Sequence, residues 1–331
     1  MTPTGSTSVP YLLPGTSRAS VELEREIRCV SGCRLPVLVQ GESGSGKEGV
    51  SRAIHAWSPR HDGPFVAVNC AALSDSLLEA ELFGAVRGAY TGCDRDRPGL
   101  LRLADGGTLL LDEIGEMSSA LQGKLLRFLD SGDVRPVGGN RETLCDVRIV
   151  AATHRDLRLA TTTDRFRADL WWRLAVLRIQ VPSLRARNGD LPRIVEALAP
   201  RIEAECGLGP LTLTPGALRR LAEHSWPGNL RELRGVLARA LLESGDRPVG
   251  AAAIRLDASP GAGPTESLCL EARMILRALE TSSGHIGRAA ADIGWSRQKL
   301  YRRMAALGIR PGQSMRRERA PTTSSASSTF Q

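Results

Sequence analysis

The chain has 331 residues, 42% apolar and only 4% aromatic, with 44 Lys and Arg against 36 Asp and Glu for a formal charge of +8. That length suits two or three globular domains, and the composition excludes fibrous or collagenous chains, membrane spans of ~18 uncharged apolar residues and, with seven irregularly spaced cysteines, a disulfide framework or paired zinc knuckle. The charge is lopsided: from Thr281 onward nine basic residues face two acidic ones, a net of +7, which points to a polyanion-binding module on a near-neutral body.

Residues 1–20 are rich in Ser, Thr, Gly and Pro and read as a flexible lead with no signal peptide, so a cytoplasmic protein is expected. Cys29 and Cys33, one helical turn apart, read as small core or helix residues. Over 21–190, the apolar runs Leu35–Val39, Phe65–Asn69, Thr108–Glu113 and Val147–Thr153 alternate with amphipathic helices, which predicts an α/β fold with a parallel, helix-covered sheet. Gly41, Glu42, Ser43, Gly44, Ser45, Gly46 and Lys47 follow the first strand and open a helix. This is the setting of a P-loop, whose backbone N–H groups wrap phosphates while the lysine neutralises the outer ones. Glu48 stands where the magnesium-binding Ser or Thr usually follows.

Between Glu81 and Gly99, glycines at 84, 88, 92 and 99 flank an insertion with Tyr90 and Thr91 expected exposed at its tip, a good protein contact. The next strand delivers Asp112 and Glu113, in the manner of a Walker B element: Asp112 to hold Mg2+ and Glu113 to orient or deprotonate the attacking water. The strand signal ends near Leu191, and 191–255 reads as a helical subdomain with helices over Ala217–Glu223 and Leu230–Leu242. A Pro, Gly and Ala linker over 256–266 precedes an amphipathic helix at Ser267–Thr281, a short helix at Ile286–Asp292, and a helix N-capped by Ser296 with Leu300, Met304 and Leu307 inward. Arg297, Lys299, Arg302 and Arg303 lie off that stripe, as a recognition helix in a major groove needs. Arg297 and Gln298 are candidates for base edges, Arg302, Arg303 and the following Arg310 for phosphate, and Arg288 for the wider DNA contact. The module spans 267–312, and 313–331 reads as a disordered tail.

The segments GESGSGKE, NCAAL, ELFG, GAYTGC, GGTLLLDEIGEM, LLRFLDSGDVRPVG and WPGNLREL closely resemble the bacterial enhancer-binding proteins, AAA+ activators of sigma-54 RNA polymerase, from about Ser17 to Pro311. In that family Glu routinely follows the P-loop lysine, as Glu48 does. The resemblance implies an AAA+ P-loop NTPase with a helical lid and a C-terminal Fis-type helix-turn-helix. It casts Asn69 as the residue that restrains the Walker B glutamate, His154 as sensor I and Arg231 as sensor II. Arg167 and Arg173 match arginines projected into a neighbouring subunit, one of them a finger on the γ-phosphate, which implies a ring, typically hexameric. Gly88, Ala89, Tyr90, Thr91, Gly92 and Cys93 match the loop that grips sigma-54.

Three departures stand out: Cys93 replaces a usual Ala, Ala85 and Val86 replace a frequent His-Glu pair, and Arg102 stands at an often acidic position. The implied function is ATP-driven remodelling of the closed complex of sigma-54 RNA polymerase holoenzyme from upstream double-stranded DNA bound by dimeric helix-turn-helix modules. ATP and Mg2+ are the expected cofactors, and with no N-terminal regulatory domain expected, control is expected from a trans-acting regulator protein, from the level of synthesis or from a co-activator. A regulator that binds nucleotide and DNA without activating sigma-54, and a DNA-translocating ring motor, are the alternatives.

Overall fold

The computed structural model describes residues 14–90, 93–245 and 247–256 and, further on, 275, 278, 279, 282, 285–293 and 297–306. The chain separates into two compact units, Met1–Leu256 and Asp257–Gln331.

In the first unit the strands are β1 Val37–Gln40, β2 Phe65–Asn69, β3 Gly84–Ala85, β4 Arg97–Pro98, β5 Thr108–Asp112, β6 Asp133–Val134, β7 Thr143–Leu144, β8 Arg148–Thr153 and β9 Leu177–Gln180. The helices are α1 Arg18–Ser31, α2 Lys47–Ala56, α3 Asp75–Phe83, α4 Leu100–Leu103, α5 Ser119–Ser131, α6 Leu157–Thr162, α7 Ala168–Leu174, α8 Leu191–Cys206, α9 Pro215–Ala222 and α10 Asn229–Ser244. Five strands form one parallel sheet in the order β2-β5-β8-β1-β9.

Side-chain alternation builds its two faces. Val37, Val39, Leu110, Val150 and Ala152 join a cluster with Leu23 and Ile27 of α1 and Val50 and Ile54 of α2. Leu38, Leu109, Leu111, Ile149 and Ala151 pack on the other face with Leu78, Leu125 and Leu170, from α3, α5 and α7. A period of two with both faces covered is the signature of a buried parallel sheet.

Four of the strands are legible in the apolar runs, β2 with the same ends and β1, β5 and β8 with shifted ones. β1 starts at Val37 because Leu35 is exposed and Pro36 has no N–H to pair. β5 stops at Asp112 because Glu113 is left-handed, φ 52°. β9 was not foreseen: only Ile179 of its four residues is buried, and at the sheet edge Arg178 and Gln180 face out. α1 begins at Arg18, where Ser17 accepts a hydrogen bond from the Ser20 N–H as N-cap. Cys29 is exposed on α1 rather than in the core, and Cys33 is half-buried.

In the helical region α8, α9 and α10 enclose a second core around Trp226, whose indole N–H donates to Leu221 O at 2.9 Å. Among the described residues no helix is long and apolar enough to cross a membrane.

The second unit contains α11 Ile286–Asp292 and α12 Arg297–Ala306. Leu300 and Met304 are buried with Ile275, Leu279, Ala289 and Ala290, as the apolar stripe predicts. Most of the expected Ser267–Thr281 helix, Ser296, Leu307 and Arg310 lie outside the described residues.

Candidate nucleotide site

The loop between β1 and α2 owes its shape to glycine. Gly44 (φ 73°) and Gly46 (φ 100°) occupy the left-handed region, and a Cβ on Gly44 would come within 2.5 Å of Gly228 O. α2 starts at Lys47 with no side chain capping its first turn, so its N–H groups are available to an anion. Lys47 is only 7% exposed and donates to Gly41 O at 3.1 Å and Glu42 O at 3.2 Å, with Glu113 Oε1 3.9 Å away. Burial pulls the ammonium below its usual pKa, against the attraction of Glu113 and Asp112. The Ser45 hydroxyl is buried without a hydrogen-bond partner.

Asp112 and Glu113 end β5 as expected. Burial, then the adjacent Glu113 charge, raises the Asp112 carboxyl above its ordinary value. Glu113 Oε2 lies 2.7 Å from His154 Nδ1 and accepts from the His154 N–H at 3.3 Å. The expected Asn69–Glu113 restraint is not what the chain adopts. Asn69 is paired in register with Asp112, and its Nδ2 reaches Asp112 Oδ2 at 3.5 Å while its Oδ1 accepts from Ala71 N at 2.9 Å. The left-handed turn at Glu113 carries that carboxylate away from β2 to the end of β8, where His154 meets it. The Glu48 carboxylate pairs with Arg52 one turn along α2.

The lid closes directly on the loop. Arg231 Nη1 donates to Ser43 Oγ at 2.9 Å, and the Leu230 N–H donates to Gly44 O at 3.0 Å. Three further residues hold the loop, none of them singled out in the sequence. Buried Asn229 (φ 50°) donates to Glu42 Oε2 and Ser43 O, each at 3.1 Å, and accepts from Leu184 N at 2.7 Å. Arg185 forks onto both Glu42 oxygens and holds that carboxyl below its usual value, against burial. Buried Arg187 donates to Ser45 O at 3.1 Å. The signal for Asn229 was its place two residues before Arg231; Arg185 and Arg187 carry no local pattern. A cavity of about 350 Å³ lies beside the loop, lined by Leu23, Val50, Leu198 and Leu230 among others.

Arg167 and Arg173 stand apart from this cluster. Arg167 caps α7, its backbone N–H donating to the buried Gln122 side chain at 2.8 Å while its guanidinium pairs with Asp169. Arg173 pairs with Asp130 of α5. Neither is bonded to the chain's own phosphate loop.

The insertion is braced rather than free. β3 and β4 pair antiparallel, and the β6–β7 hairpin supports them through Val86 N to Val137 O (3.1 Å) and Val137 N to Gly84 O (2.8 Å). Tyr90, expected exposed, is half-buried and packs in a cluster with Ala80, Ala85, Ala89, Cys93 and Val137. Cys93 is not at an exposed tip either: it is 3% exposed, with its thiol 3.3 Å from Val86 O. Gly88 (φ 81°) folds the chain so that its N–H reaches Cys93 O at 2.9 Å. Thr91 and Gly92 lie outside the described residues.

In the second unit Arg288, Arg297 and Gln298 are exposed; the side chains of Lys299, Arg302 and Arg303 lie outside the described set. The Arg297 guanidinium lies against Gly287 of α11, where a Cβ would meet it at 2.6 Å. Tyr301, one turn beyond Arg297 on the exposed face, went unnoticed in the sequence.

The description "Sigma-54 interaction domain" matches residues 13–180, "AAA+ ATPase lid domain" residues 185–266, and "Bacterial regulatory protein, Fis family" residues 270–307. The chain is 49% identical over 228 residues to the anaerobic nitric oxide reductase transcription regulator NorR of Salmonella paratyphi C, covering 69% of this chain and 45% of that protein. It thus spans about half the length of the curated relatives it matches. NtrX from Brucella abortus superposes with a TM-score of 0.69 at 36% identity, over 89% of this chain and 69% of that one. A second NtrX structure, in complex with ATP, gives 0.67 at 36% identity over 90% and 69%. With half of its length matched by the first of these domains and the lid and Fis-type segments following in order, the chain belongs to the sigma-54 interaction domain family of AAA+ ATPases.

Proposed function

We propose that the protein is an ATP-hydrolysing transcription activator that binds upstream DNA through α11 and α12 and remodels the closed complex of sigma-54 RNA polymerase. One observation carries this: β4, α4 and β5 are consecutive, so the Tyr90 loop and the Asp112–Glu113 pair terminate one continuous run of structure. A change at the phosphates therefore has a short path to the loop.

In this reading ATP lies along Gly41–Lys47, its base in the cavity lined by Leu23, Leu198 and Leu230. Glu113 orients and deprotonates the attacking water, and His154 and Lys47 set its position. Arg231 fastens the lid to the loop at Ser43, so nucleotide occupancy and lid position are coupled. Asn69 acts on Asp112 rather than on Glu113.

The donor set fits magnesium. Asp112 is a partly buried carboxylate whose pKa is raised by burial and then by the adjacent Glu113 charge, and magnesium favours one or two carboxylates plus phosphate oxygens over an all-protein cage. When bound, the ion neutralises charge on the outer phosphates; Asp112 would hold it.

Arg167 and Arg173, exposed and turned from the chain's own loop, serve the next subunit of a ring, typically a hexamer. Gln122 fixes the backbone from which Arg167 departs. In the second unit Arg297 and Gln298 read base edges, joined by Tyr301, while Arg288, Lys299, Arg302, Arg303 and a helix cap at Ser296 complete the DNA face of a dimeric module. The chain divides functionally into an ATPase core to about residue 190, a lid to about 255 and the DNA module from about 267, working in the cytoplasm.

Open-complex formation with sigma-54 holoenzyme, promoter DNA and ATP tests this. Normal ATP hydrolysis without open complexes would overturn it in favour of a regulator that binds nucleotide and DNA only. The buried, apolar Ala85 at the base of the loop favours that second reading, since it offers no polar side chain there. Thr91→Ala should abolish open complexes and leave hydrolysis intact; loss of both refutes the loop's role.

A further inference from the structure

The amino ends of the sheet strands carry a cluster of their own. Residues preceding β1 (Arg34), β2 (Gly63) and β5 (Gly106), the first residue of β8 (Arg148), and Arg60 from the turn after α2 line a cavity of about 420 Å³. The phosphate loop leaves the opposite, carboxyl end of β1, and a strand of this length separates the two by roughly 15 Å.

Arg148 is 1% exposed, and no carboxylate pairs with it among the described residues. Its Nη1 and Nη2 donate to Ser31 O (3.0 Å) and Val30 O (2.6 Å) at the carboxyl end of α1, and its Nε–H has no partner. Arg60, its side chain 10% exposed, is matched by Asp146 (Nη2 to Oδ1 2.6 Å, Nη1 to O 2.7 Å), and its Nε–H is also unpartnered. Arg34 is exposed on the rim. Two carboxylates share the lining, Asp146, spent on Arg60, and the exposed Asp62, so three arginines leave one surplus positive charge around the cavity, with the buried, acid-free Arg148 at its inner wall.

We propose that this cavity binds a small phosphate-bearing anion, separately from the nucleotide site. A buried guanidinium without a counter-charge is costly, and the carbonyls and dipole of α1 compensate only part of it. An oxyanion supplies the missing charge, and guanidinium geometry suits phosphate oxygens. The volume exceeds what a bare phosphate needs, leaving room for a small organic body.

The test uses the full chain carrying Lys47→Ala, which disables the phosphate loop, titrated calorimetrically with inorganic phosphate and, separately, ribose 5-phosphate. One saturable site for either probe is expected, weakened at least tenfold by Arg34→Gln, a rim change that disturbs no hydrogen bond of the core. Binding of both probes marks a bare oxyanion site; binding of ribose 5-phosphate alone marks a phosphomonoester site. No saturable binding of either, or equal affinity in Arg34→Gln, overturns the proposal. Selenate soaked into crystals gives an independent readout: an anomalous peak in the cavity supports the site, and a peak only at the phosphate loop refutes it.

Discussion

The two ends of the same five strands handle charge in opposite ways. At the carboxyl ends, Lys47, Asp112 and Glu113 crowd together: the lysine is pushed down, the aspartate up, and Glu113 is divided between His154 and Lys47. The backbone there is left-handed at Gly44, Gly46 and Glu113. At the amino ends the arginines are tied to fixed acceptors, Val30 O, Ser31 O and Asp146. Parallel strands splay into loops at their carboxyl ends, where ligands bind in such folds, and strain concentrates where function requires it. The amino ends instead meet the end of α1, around the cavity lined by Arg34, Arg60 and Arg148. At one end the charged groups face one another; at the other they are held by backbone carbonyls and one aspartate.

The sharpest test of this contrast is Glu113→Gln. It should lower ATP turnover by about 10²- to 10⁴-fold with nucleotide affinity retained, in steady-state hydrolysis and direct binding assays. Unchanged turnover would move the chemistry elsewhere. At the other end, Arg148→Met leaves Ser31 O without its donor, while Val30 O keeps the Gly32 and Cys33 N–H groups, and should cost about 1–3 kcal/mol of stability, read as a lower urea midpoint with unchanged slope. A more stable variant would show the amino end to be as electrostatically strained as the carboxyl end.

Asp190 offers a smaller test through pH. Burial pushes its carboxyl up, but hydrogen bonds from Ser17 and Ser20, with the Thr16 and Ser17 N–H groups, outweigh that and hold it below 3.8. A depressed folded pKa contributes stability that is present above the unfolded value and lost as pH falls through the folded one. Asp190→Asn should therefore be less stable than the parent at pH 7, with the gap closing below about pH 4 in denaturant melts. Smallest in effect, thiol labelling should separate exposed Cys29, alkylated readily near pH 8, from Cys70. Burial pushes the Cys70 thiol up to about 12, and it should react only on unfolding.

The phosphate loop, the carboxylate pair and four sheet strands were legible because each is a local pattern: glycines before a lysine, or an apolar run before acids. β9 was not, since four half-polar residues at a sheet edge leave little periodicity. Arg185, Arg187 and Asn229 escaped because their partners, Glu42, Ser45 and Ser43, lie more than a hundred residues away. Tyr90 reads as exposed from its flanking glycines, yet a second hairpin distant in sequence packs against it through Val137.

Sequence alone determined which chemistries the chain carries and their order along it, because glycine, lysine and carboxylate requirements are met by neighbours. Tertiary structure decided which groups face one another. Asn69 sits beside Asp112 because β2 and β5 pair in that register, and Glu113 reaches His154 because one left-handed residue redirects it. Register and chain reversal arise from packing over the whole sheet, and no single segment encodes them.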